Sequence, residues 1–382
     1  MRYFSVFFKW IKRRGLKAVI FFIGVLFLLL NIYIVVYSNI ILSVISKGKT
    51  LYSTGIYKSD IVFGLKGKAN SNGFIFFPGG DSIPVSLNNK GERVGFQSKG
   101  EESYKSKILF IGDSFTFGDA NYFEESFPYL ISKGLEMQLI NASMVGYGYS
   151  QYLIKIKNEI LNEKINTIAI QVSPYSAERS INGFLPAFSK IPTPFFCLNQ
   201  NDSIIIHPAL YESNLFKIIN HVGISQFSDK VNSPKLFWEF YSKVGFPIYS
   251  NQIKSELRVL LKKKDYKRVL TEQEAEKHFF LSLNNLLVSK NYNIVFYNVG
   301  YRPDDFEVKV KKIKSLIHFE ATFINLEKSL WDLVTDQEHY DKRFCHWRGN
   351  PPILVDKHYN KEGHSIVSNM FVQDFVLEQQ LK

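Results

Sequence analysis

Residues 107–118 read KILFIGDSFTFG, a short apolar run followed by Gly112-Asp113-Ser114. The run Lys107–Ile111 has the composition of a buried strand, and the residues after it suit a turn into a helix. A serine at that junction lies near free backbone N–H groups and the positive end of the helix dipole. Those are the surroundings that an acyl-transfer nucleophile needs. Alone, Gly-Asp-Ser is weak evidence for catalysis, because Asp and Ser are ordinary helix caps and Gly is an ordinary turn residue.

The remainder of the chain repeats this alternation of strand and helix. Short apolar runs of strand character recur after residue 106, and stretches with helical spacing separate the first three of them. The runs are Lys107–Ile111, Gln138–Asn141, Thr167–Val172, Asn293–Val299 and Thr322–Leu326. This order predicts an α/β fold with three layers, α/β/α, around a mostly parallel sheet of flavodoxin-like type. Sites in such sheets form at the carboxyl ends of the strands, so we expect the chemistry directly after these runs.

Two further segments carry residues suited to the same chemistry. Residues 141–151 read NASMVGYGYSQ, whose glycines either let a backbone N–H approach an oxyanion or serve an ordinary strand-to-helix turn. Residues 355–364 read VDKHYNKEGH, in which Asp356 can orient the imidazole of His358 while its other nitrogen faces a serine. The loop pattern of hard cations and the His-Glu-x-x-His pattern are both absent, so we expect no metal. We expect His364 to cap or pack on the last helix.

In this order, the segments resemble the sequence blocks of the SGNH/GDSL hydrolases, in particular the membrane-anchored type of the bacterial envelope. The resemblance covers residues 85–375, and its matching stretches are Asn88–Arg93 (NNKGER), Gly112–Gly118 (GDSFTFG), Asn141–Gln151 and Asp356–Gly363 (DKHYNKEG). The last three of these stretches are family blocks in the right order at strand ends, and together they are more specific than any one of them. The resemblance implies an SGNH-type three-layer fold and an ester hydrolase that needs no cofactor.

The resemblance also implies a role for each matching residue. Ser114 would be the nucleophile, His358 the general base and Asp356 the residue that fixes the His358 tautomer. The backbone N–H groups of Ser114 and Gly146 would form the oxyanion hole. Gly112 and Asp113 would be structural residues of the turn that presents Ser114.

The third block departs from the family pattern. After Thr167–Val172 the family has an Asn whose side chain completes the oxyanion hole, whereas this chain reads SPYSAER over residues 173–179. The third donor would have to come from Ser173, Tyr175 or Arg179, or be missing. Loss of one such donor lowers the rate by roughly 10²–10³-fold. The departure leaves open a slower esterase, an altered acyl-transfer role or a catalytically silent member.

The N-terminus predicts a membrane anchor. The net charge is +12, and six basic residues fall within residues 1–17, before an uncharged stretch that runs from residue 18 to residue 45. About 20 apolar residues span a bilayer, and positive charge stays on the cytoplasmic side. We expect a cytoplasmic tail (1–17), a single inner-membrane helix (18–45), a β-rich lead-in (46–105) and a periplasmic, extracytoplasmic hydrolase domain (106–382). A cleaved signal or a buried helix is the alternative for residues 18–45.

Within the domain, an insertion is expected at about residues 180–291. It is aromatic and basic, which suits either a glycan-binding lid or a packed cap, and we expect its run Lys262–Arg268 to be a solvated helix. Cys197 and Cys345 form a disulfide in an oxidising compartment or remain two separate buried thiols.

Together these features predict a membrane-anchored, extracytoplasmic serine esterase. It would remove O-acyl groups, with acetyl expected, from an envelope or exported polysaccharide. An O-acetyltransferase with the same triad is one alternative, and a non-catalytic glycan-binding or assembly protein is another. The expected partners are an acylated glycan or other ester and, through one helix, the membrane. We expect no nucleic acid, because half of the excess charge lies in the tail.

Overall fold

The structure is a computed structural model. It describes residues 15, 19–29, 52–76, 82–95, 104–162, 165–185, 188–213, 254, 257, 265–288, 290–348 and 352–380. Residues 19–29 of the predicted anchor are helical, and the remainder of residues 18–45 lies outside this set. Among the described residues, no helix is both long enough and apolar enough to cross a membrane.

The lead-in consists of short antiparallel strands. They are β1 (Tyr52–Thr54), β2 (Tyr57–Asp60), β3 (Gly64–Gly67), β4 (Asn72–Phe76), β5 (Ser82–Leu87) and β6 (Arg93–Val94). A sheet in the order β1-β4-β5-β6 lies beside the β2-β3 hairpin. The hairpin meets the turn before β6 so closely that a Cβ at Gly67 would be 2.0 Å from the carbonyl oxygen of Gly91. Both positions therefore need glycine.

The central sheet has the parallel architecture that the sequence predicts. Its strands are β7 (Lys107–Ile111), β8 (Gln138–Asn141), β9 (Thr167–Val172), β15 (Asn293–Asn298) and β16 (Ala321–Ile324). Their order is β16-β15-β9-β7-β8, and every neighbouring pair is parallel. The ends of the predicted runs match those of the strands to within two residues. The two-residue difference is at the end of the last run, where Asn325 caps a helix that begins at Leu326.

Helices cover both faces of this sheet. They are α1 (Ser114–Phe117), α2 (Phe127–Gly134), α3 (Tyr149–Asn162), α4 (Ser176–Arg179), α5 (Glu272–Leu287), α6 (Pro303–Lys314), α7 (Leu326–Trp331), α8 (Gln337–Phe344) and α9 (Lys361–Gln380). In β7, Leu109 and Ile111 face the core under α3 and α5, whereas Ile108 and Phe110 face the core under α2 and α9. Because successive strand residues point to opposite faces, each buried strand joins two cores. The three-layer fold is confirmed.

The insertion between β9 and β15 adds small antiparallel sheets. Strands β10 (Phe184–Leu185) and β11 (Phe188–Pro192) form a hairpin, and β12 (Phe195–Asn199) lies between β13 (Ile204–His207) and β14 (Tyr266–Val269). Residues 266–268 of the basic run lie in β14, so the solvated helix predicted there is wrong, and residues 262–264 of the run lie outside the described set. Residues 214–253 lie outside the described set. A last hairpin, β17 (His346–Arg348) and β18 (Ile353–Asp356), precedes α9.

The two cysteines are free and buried, so the second alternative for them holds. Cys197 lies within β12, opposite Ile205 on one side and Val269 on the other. The thiol of Cys345 lies 3.5 Å from the carbonyl oxygen of Lys357. Each thiol is held within its own part of the fold, and no disulfide joins the insertion to the C-terminal loop.

Candidate active site

Ser114 occupies a tight turn between β7 and α1. A Cβ at Gly112 would lie 2.2 Å from Thr116 Oγ1 and 2.4 Å from Gln171 Oε1, so only glycine fits there. Asp113 caps α1, because its Oδ1 accepts a hydrogen bond from the N–H of Phe115 at 3.0 Å. The structural roles predicted for Gly112 and Asp113 agree with these contacts.

Side chains of the adjoining strands β9 and β15 form hydrogen bonds with this turn. Gln171 in β9 accepts hydrogen bonds at Oε1 from the N–H of Asp113 (3.0 Å) and from Thr116 Oγ1 (2.5 Å). The hydroxyl of Tyr297 in β15 lies 2.8 Å from Thr116 Oγ1. Gln171 Oε1, Thr116 Oγ1 and the Tyr297 hydroxyl are thus buried and hydrogen-bonded to one another. The position of Ser114 is therefore set by three strands of the sheet.

The three predicted catalytic side chains meet at this turn. His358 Nε2 lies 2.6 Å from Ser114 Oγ, and His358 Nδ1 lies 2.8 Å from both carboxylate oxygens of Asp356. Asp356 ends β18, and His358 follows it in the loop before α9. One imidazole nitrogen thus faces the nucleophile while the other is held by a carboxylate, as general-base catalysis by a Ser-His-Asp triad requires.

The charges of the triad reinforce one another. Burial alone would raise the pKa of Asp356, but the charge of His358 and its hydrogen bonds outweigh burial and lower that pKa. Burial would lower the pKa of His358, yet the nearby carboxylates raise it to about 9, Asp356 most strongly and Asp119 and Asp113 after it. The imidazolium that forms during catalysis is therefore stabilised.

Asp119 is a second buried carboxylate beside the triad. Its N–H donates to the carbonyl oxygen of Ser114 at 2.9 Å, and burial raises the pKa of its side chain to about 6. The sequence analysis missed Asp119, and the signal that could have found it is an acidic residue directly after the GDSFTFG block.

Arg93 of the lead-in holds the chain after the nucleophile. Its buried guanidinium donates to the carbonyl oxygens of Phe117 (2.9 Å), Gly118 and Asn121. Burial lowers the pKa of Arg93 to about 10, which leaves it charged at neutral pH. The Asn88–Arg93 stretch, identified in the sequence by resemblance alone, therefore contributes directly to the nucleophile's surroundings.

A buried carboxylate, Glu327, holds the loop of His358. Its Oε1 accepts from the N–H of Gly300 at 2.7 Å and from the Tyr359 hydroxyl, and its Oε2 accepts from the Tyr340 hydroxyl at 2.8 Å. Burial raises the pKa of Glu327 despite these hydrogen bonds. Because Tyr359 is the neighbour of His358, this network fixes the imidazole from outside the triad.

Phe115 links the nucleophile turn to the histidine loop. Its ring centroid lies 4.6 Å from that of His358 and 4.9 Å from that of Tyr359. Asn121 makes a second link, because its side-chain amide donates to the carbonyl oxygen of Tyr359 at 2.7 Å. Ser114 and His358 are therefore joined by packing and hydrogen bonding as well as by their own contact.

The turn after β8 lies against the nucleophile turn. The N–H of Met144 donates to the carbonyl oxygen of Gly112 at 3.3 Å, and the N–H of Tyr147 donates to Met144 at 3.2 Å. Gly146 has φ of +74°, and a Cβ there would lie 2.1 Å from Leu185. This geometry requires glycine, although the oxyanion role of Gly146 stays a prediction.

The three candidates for the missing donor differ in their contacts. Ser173 Oγ accepts from the N–H of Tyr175 at 3.3 Å within its own turn, and the Tyr175 side chain is 53% exposed. Arg179 reaches the nucleophile turn, with its Nη1 2.6 Å from Asp113 Oδ2. A role for Ser173 or Tyr175 in the oxyanion hole also stays a prediction.

His364 caps a helix other than the one expected. Its Nδ1 accepts from the N–H of Phe127, the first residue of α2, at 3.0 Å, although His364 itself lies in α9. In the part of the chain that the structure describes, no group of three or more His, Cys, Asp or Glu side chains could hold a metal ion.

No family model matches this chain, and no curated protein matches its sequence. Solved structures with a similar fold include a putative lipolytic protein of the G-D-S-L family from Desulfitobacterium hafniense, at 12% identity and a TM-score of 0.32, covering 70% of this chain and 99% of that one. An acetyl xylan esterase from Butyrivibrio proteoclasticus matches at 11% identity and a TM-score of 0.35, covering 88% of each chain. An acetylxylan esterase from Geobacillus stearothermophilus matches at 11% identity and a TM-score of 0.36, covering 71% of this chain and 94% of that one.

The G-D-S-L family named in one of these structures is the family that the sequence blocks resemble. Identities and TM-scores this low support no inference about activity. The function of this protein therefore has to be argued from the geometry around Ser114.

Proposed function

We propose that this protein is a serine ester hydrolase in which Ser114, His358 and Asp356 form the catalytic triad. The contact of His358 Nε2 with Ser114 Oγ at 2.6 Å, with Asp356 on the other imidazole nitrogen, carries the proposal. A non-catalytic descendant of the fold would have no need to keep these side chains aligned across 244 positions of sequence. The geometry therefore favours an enzyme over a binding or assembly protein.

Acylation begins at the hydroxyl of Ser114. Its Oγ attacks the carbonyl carbon of the ester while its proton passes to His358 Nε2, and Asp356 stabilises the imidazolium. The carbonyl oxygen becomes an oxyanion facing the backbone N–H of Ser114 and, as proposed, that of Gly146. When the intermediate collapses, the bond from carbon to the leaving oxygen breaks. The alcohol takes the proton from His358 and departs.

Deacylation repeats these steps with water. Neutral His358 takes a proton from water, whose oxygen attacks the acyl carbon bonded to Ser114 Oγ. The bond to Oγ breaks, and Ser114 recovers its proton from His358. The products are one carboxylic acid and one alcohol, and the enzyme returns to its starting state without a cofactor.

We propose that the enzyme works outside the cytoplasm on an O-acylated envelope or exported polysaccharide, with acetyl as the acyl group. The basic tail of residues 1–17 and the uncharged stretch of residues 18–45 support this location. At the site, the exposed ring of Tyr175 lies under the Arg179 guanidinium, 5.5 Å from ring centroid to Arg179 Cζ. The face of the Tyr175 ring that Arg179 does not cover suits stacking with the ring of a sugar.

The test of the triad uses the full-length protein and its Ser114→Ala variant. Release of p-nitrophenol from p-nitrophenyl acetate should fall by roughly 10³-fold or more in the variant. A fluorophosphonate, which loses fluoride when a serine Oγ bonds to its phosphorus, should label the wild type only. Equal rates or equal labelling in the two proteins would remove Ser114 as the nucleophile.

Substrate and location are tested separately. Acetate release from an O-acetylated polysaccharide should depend on Ser114, and transfer of acetyl to added sugar in place of water would favour the acetyltransferase instead. Alkaline phosphatase fused after residue 382 is active only outside the cytoplasm. An inactive but intact fusion would contradict the proposed location.

A further inference from the structure

Arg179 reaches the nucleophile turn from the segment that lacks the expected Asn. It ends α4, and its Nη1 lies 2.6 Å from Oδ2 of Asp113, the residue before Ser114. The other oxygen of Asp113 already caps α1 at Phe115. Both carboxylate oxygens of Asp113 therefore have donors, one from the backbone and one from Arg179.

The same guanidinium nitrogen also contacts the turn after β8, which contains Gly146, the second predicted donor to the oxyanion. Arg179 Nη1 lies 3.4 Å from the carbonyl oxygen of Tyr147, the residue after Gly146. The two residues that Arg179 contacts thus flank the two N–H groups expected to bind the oxyanion. One side chain joins the two loops that would form the hole.

The charge of Asp113 makes this contact important for the reaction. A carboxylate one residue from the nucleophile opposes the negative charge that develops on the substrate oxygen. Asp113 is only 2% exposed, so water screens its charge poorly, and Arg179 supplies the opposite charge. Burial lowers the pKa of Arg179, but Asp113 raises it by more, so this arginine remains charged.

We propose that Arg179 compensates for the missing third donor as a positioning residue. It neutralises Asp113 and fixes the two loops, so that the N–H groups of Ser114 and Gly146 face the oxyanion without an opposing charge beside it. Arg179 acts through Asp113 and Tyr147 and makes no contact with substrate. This inference rests on the proposed esterase function and adds to it the residue on which oxyanion binding depends.

The role predicts a rate effect that a second substitution relieves. Arg179→Gln should lower kcat by about 10²-fold and change KM by less than about 3-fold, because the loss is confined to the transition state. Asp113→Asn should lower kcat by less than about 10-fold, since an Asn side chain still accepts the hydrogen bond from the N–H of Phe115. In the double variant the opposing charge is gone, so kcat should recover by about 10-fold relative to Arg179→Gln.

Other roles for Arg179 give different results. If Arg179 donates directly to the oxyanion, the double variant will be as slow as Arg179→Gln or slower. If Arg179 is only structural, its variants will lose thermal stability while kcat and KM of the folded fraction stay at wild-type values. Either result overturns the proposal. Arg179→Lys keeps the charge and should retain more activity than Arg179→Gln, and it provides the test if the glutamine variant fails to fold.

A readout without turnover separates this inference from the proposed function. Absence of Ser114-dependent turnover and of fluorophosphonate labelling in the wild type would refute the esterase proposal. The charge relation is then followed by NMR titration of the His358 imidazole, whose pKa burial lowers and neighbouring carboxylates, Asp113 among them, raise. This pKa should rise in Arg179→Gln and fall back in the double variant. An unchanged His358 pKa would show that Arg179 does not neutralise Asp113.

Discussion

The two sides of the catalytic contact are held by different chemistry. Two arginines fix the turn of Ser114, since Arg93 binds carbonyl oxygens after it and Arg179 binds the carboxylate before it. The loop of His358 is held by the buried carboxylate Glu327, which accepts from two tyrosines and one backbone N–H. Cations therefore surround the group that becomes the anion-binding turn, and a carboxylate network supports the group that becomes an imidazolium.

This difference suits the charges that develop during the reaction. Negative charge forms on the substrate beside Ser114, and positive charge forms on His358. The arginines hold the turn that faces the negative charge, and the hydrogen bonds of Glu327 hold the loop that carries the positive charge. Substitution of one side chain at a time on either side should therefore change the rate, the stability or the pH dependence.

The largest effect is expected at the triad itself. Asp356→Asn should lower kcat by about 10³–10⁴-fold, because an amide no longer holds the His358 tautomer or offsets its charge. Asp356 also raises the pKa of His358 to about 9. In the variant, the rise of activity with pH (the rising limb of the pH profile) should therefore occur at a lower pH than in the wild type. Steady-state kinetics between pH 5 and pH 10 measures both changes. An unmoved limb would mean that another group sets the profile.

Removal of Arg93 should act first on stability. Arg93→Met leaves the carbonyl oxygens of Phe117, Gly118 and Asn121 buried without this donor, and we expect a loss of about 3 kcal/mol or more in the free energy of unfolding. Urea unfolding measures it.

The matched control for Arg93 is Arg343→Met. Arg343 is also bonded to a carbonyl oxygen and a carboxylate, but it is about a third exposed. Its loss should cost no more than about 1 kcal/mol. Equal losses at both positions would contradict the view that Arg93 is an internal support of the nucleophile turn.

Glu327→Gln tests the other side of the comparison. A glutamine amide nitrogen cannot accept a hydrogen bond, so at least one of the three donors loses its acceptor. The free energy of unfolding should fall by about 1–3 kcal/mol. Because Tyr359 is next to His358, kcat should fall by about 10-fold while the His358 pKa stays near that of the wild type. Tyr340→Phe removes one donor and leaves Tyr359 in place. This variant should lower the free energy of unfolding with little change in kcat. If Tyr340→Phe lowers kcat as much as Glu327→Gln does, the effect of Glu327 on kcat does not pass through Tyr359 and the loop of His358.

The sequence predicted the parts of this site that are local. The apolar runs located the strands, and Gly-Asp-Ser and Asp-x-His located the triad, because each pattern joins residues within a few positions. Glu327, the contacts of Arg93 and the contact of Arg179 with Asp113 were missed, since each depends on a partner tens of residues away. Without the fold, a buried charge with distant partners looks like an ordinary surface charge. Lys155 and Glu159 illustrate this, since their spacing suits an exposed helical pair, yet both are buried against the lead-in.

Asp119 gives the smallest expected effect and the finest test of the comparison. It lies on the Ser114 side, where a carboxylate is out of place, yet its charge acts on His358 and helps to raise the pKa of that imidazole. A general base must be neutral to accept a proton, so kcat/KM should rise with pH up to about 9 in the wild type. In Asp119→Asn the limb should move to lower pH by a fraction of a unit. Protonation of Asp119 itself, whose pKa burial raises to about 6, should add a weak second inflection that the variant lacks.

The control is Asp332→Asn, an exposed carboxylate paired with Lys328 on α7. It should leave the profile unchanged. If Asp119→Asn also leaves it unchanged, Asp119 belongs with the supports of the nucleophile turn and carries no charge that His358 senses. If the limb moves, the charge of Asp119 acts on His358 and helps this protein to hold an imidazolium beside the turn that two arginines bind.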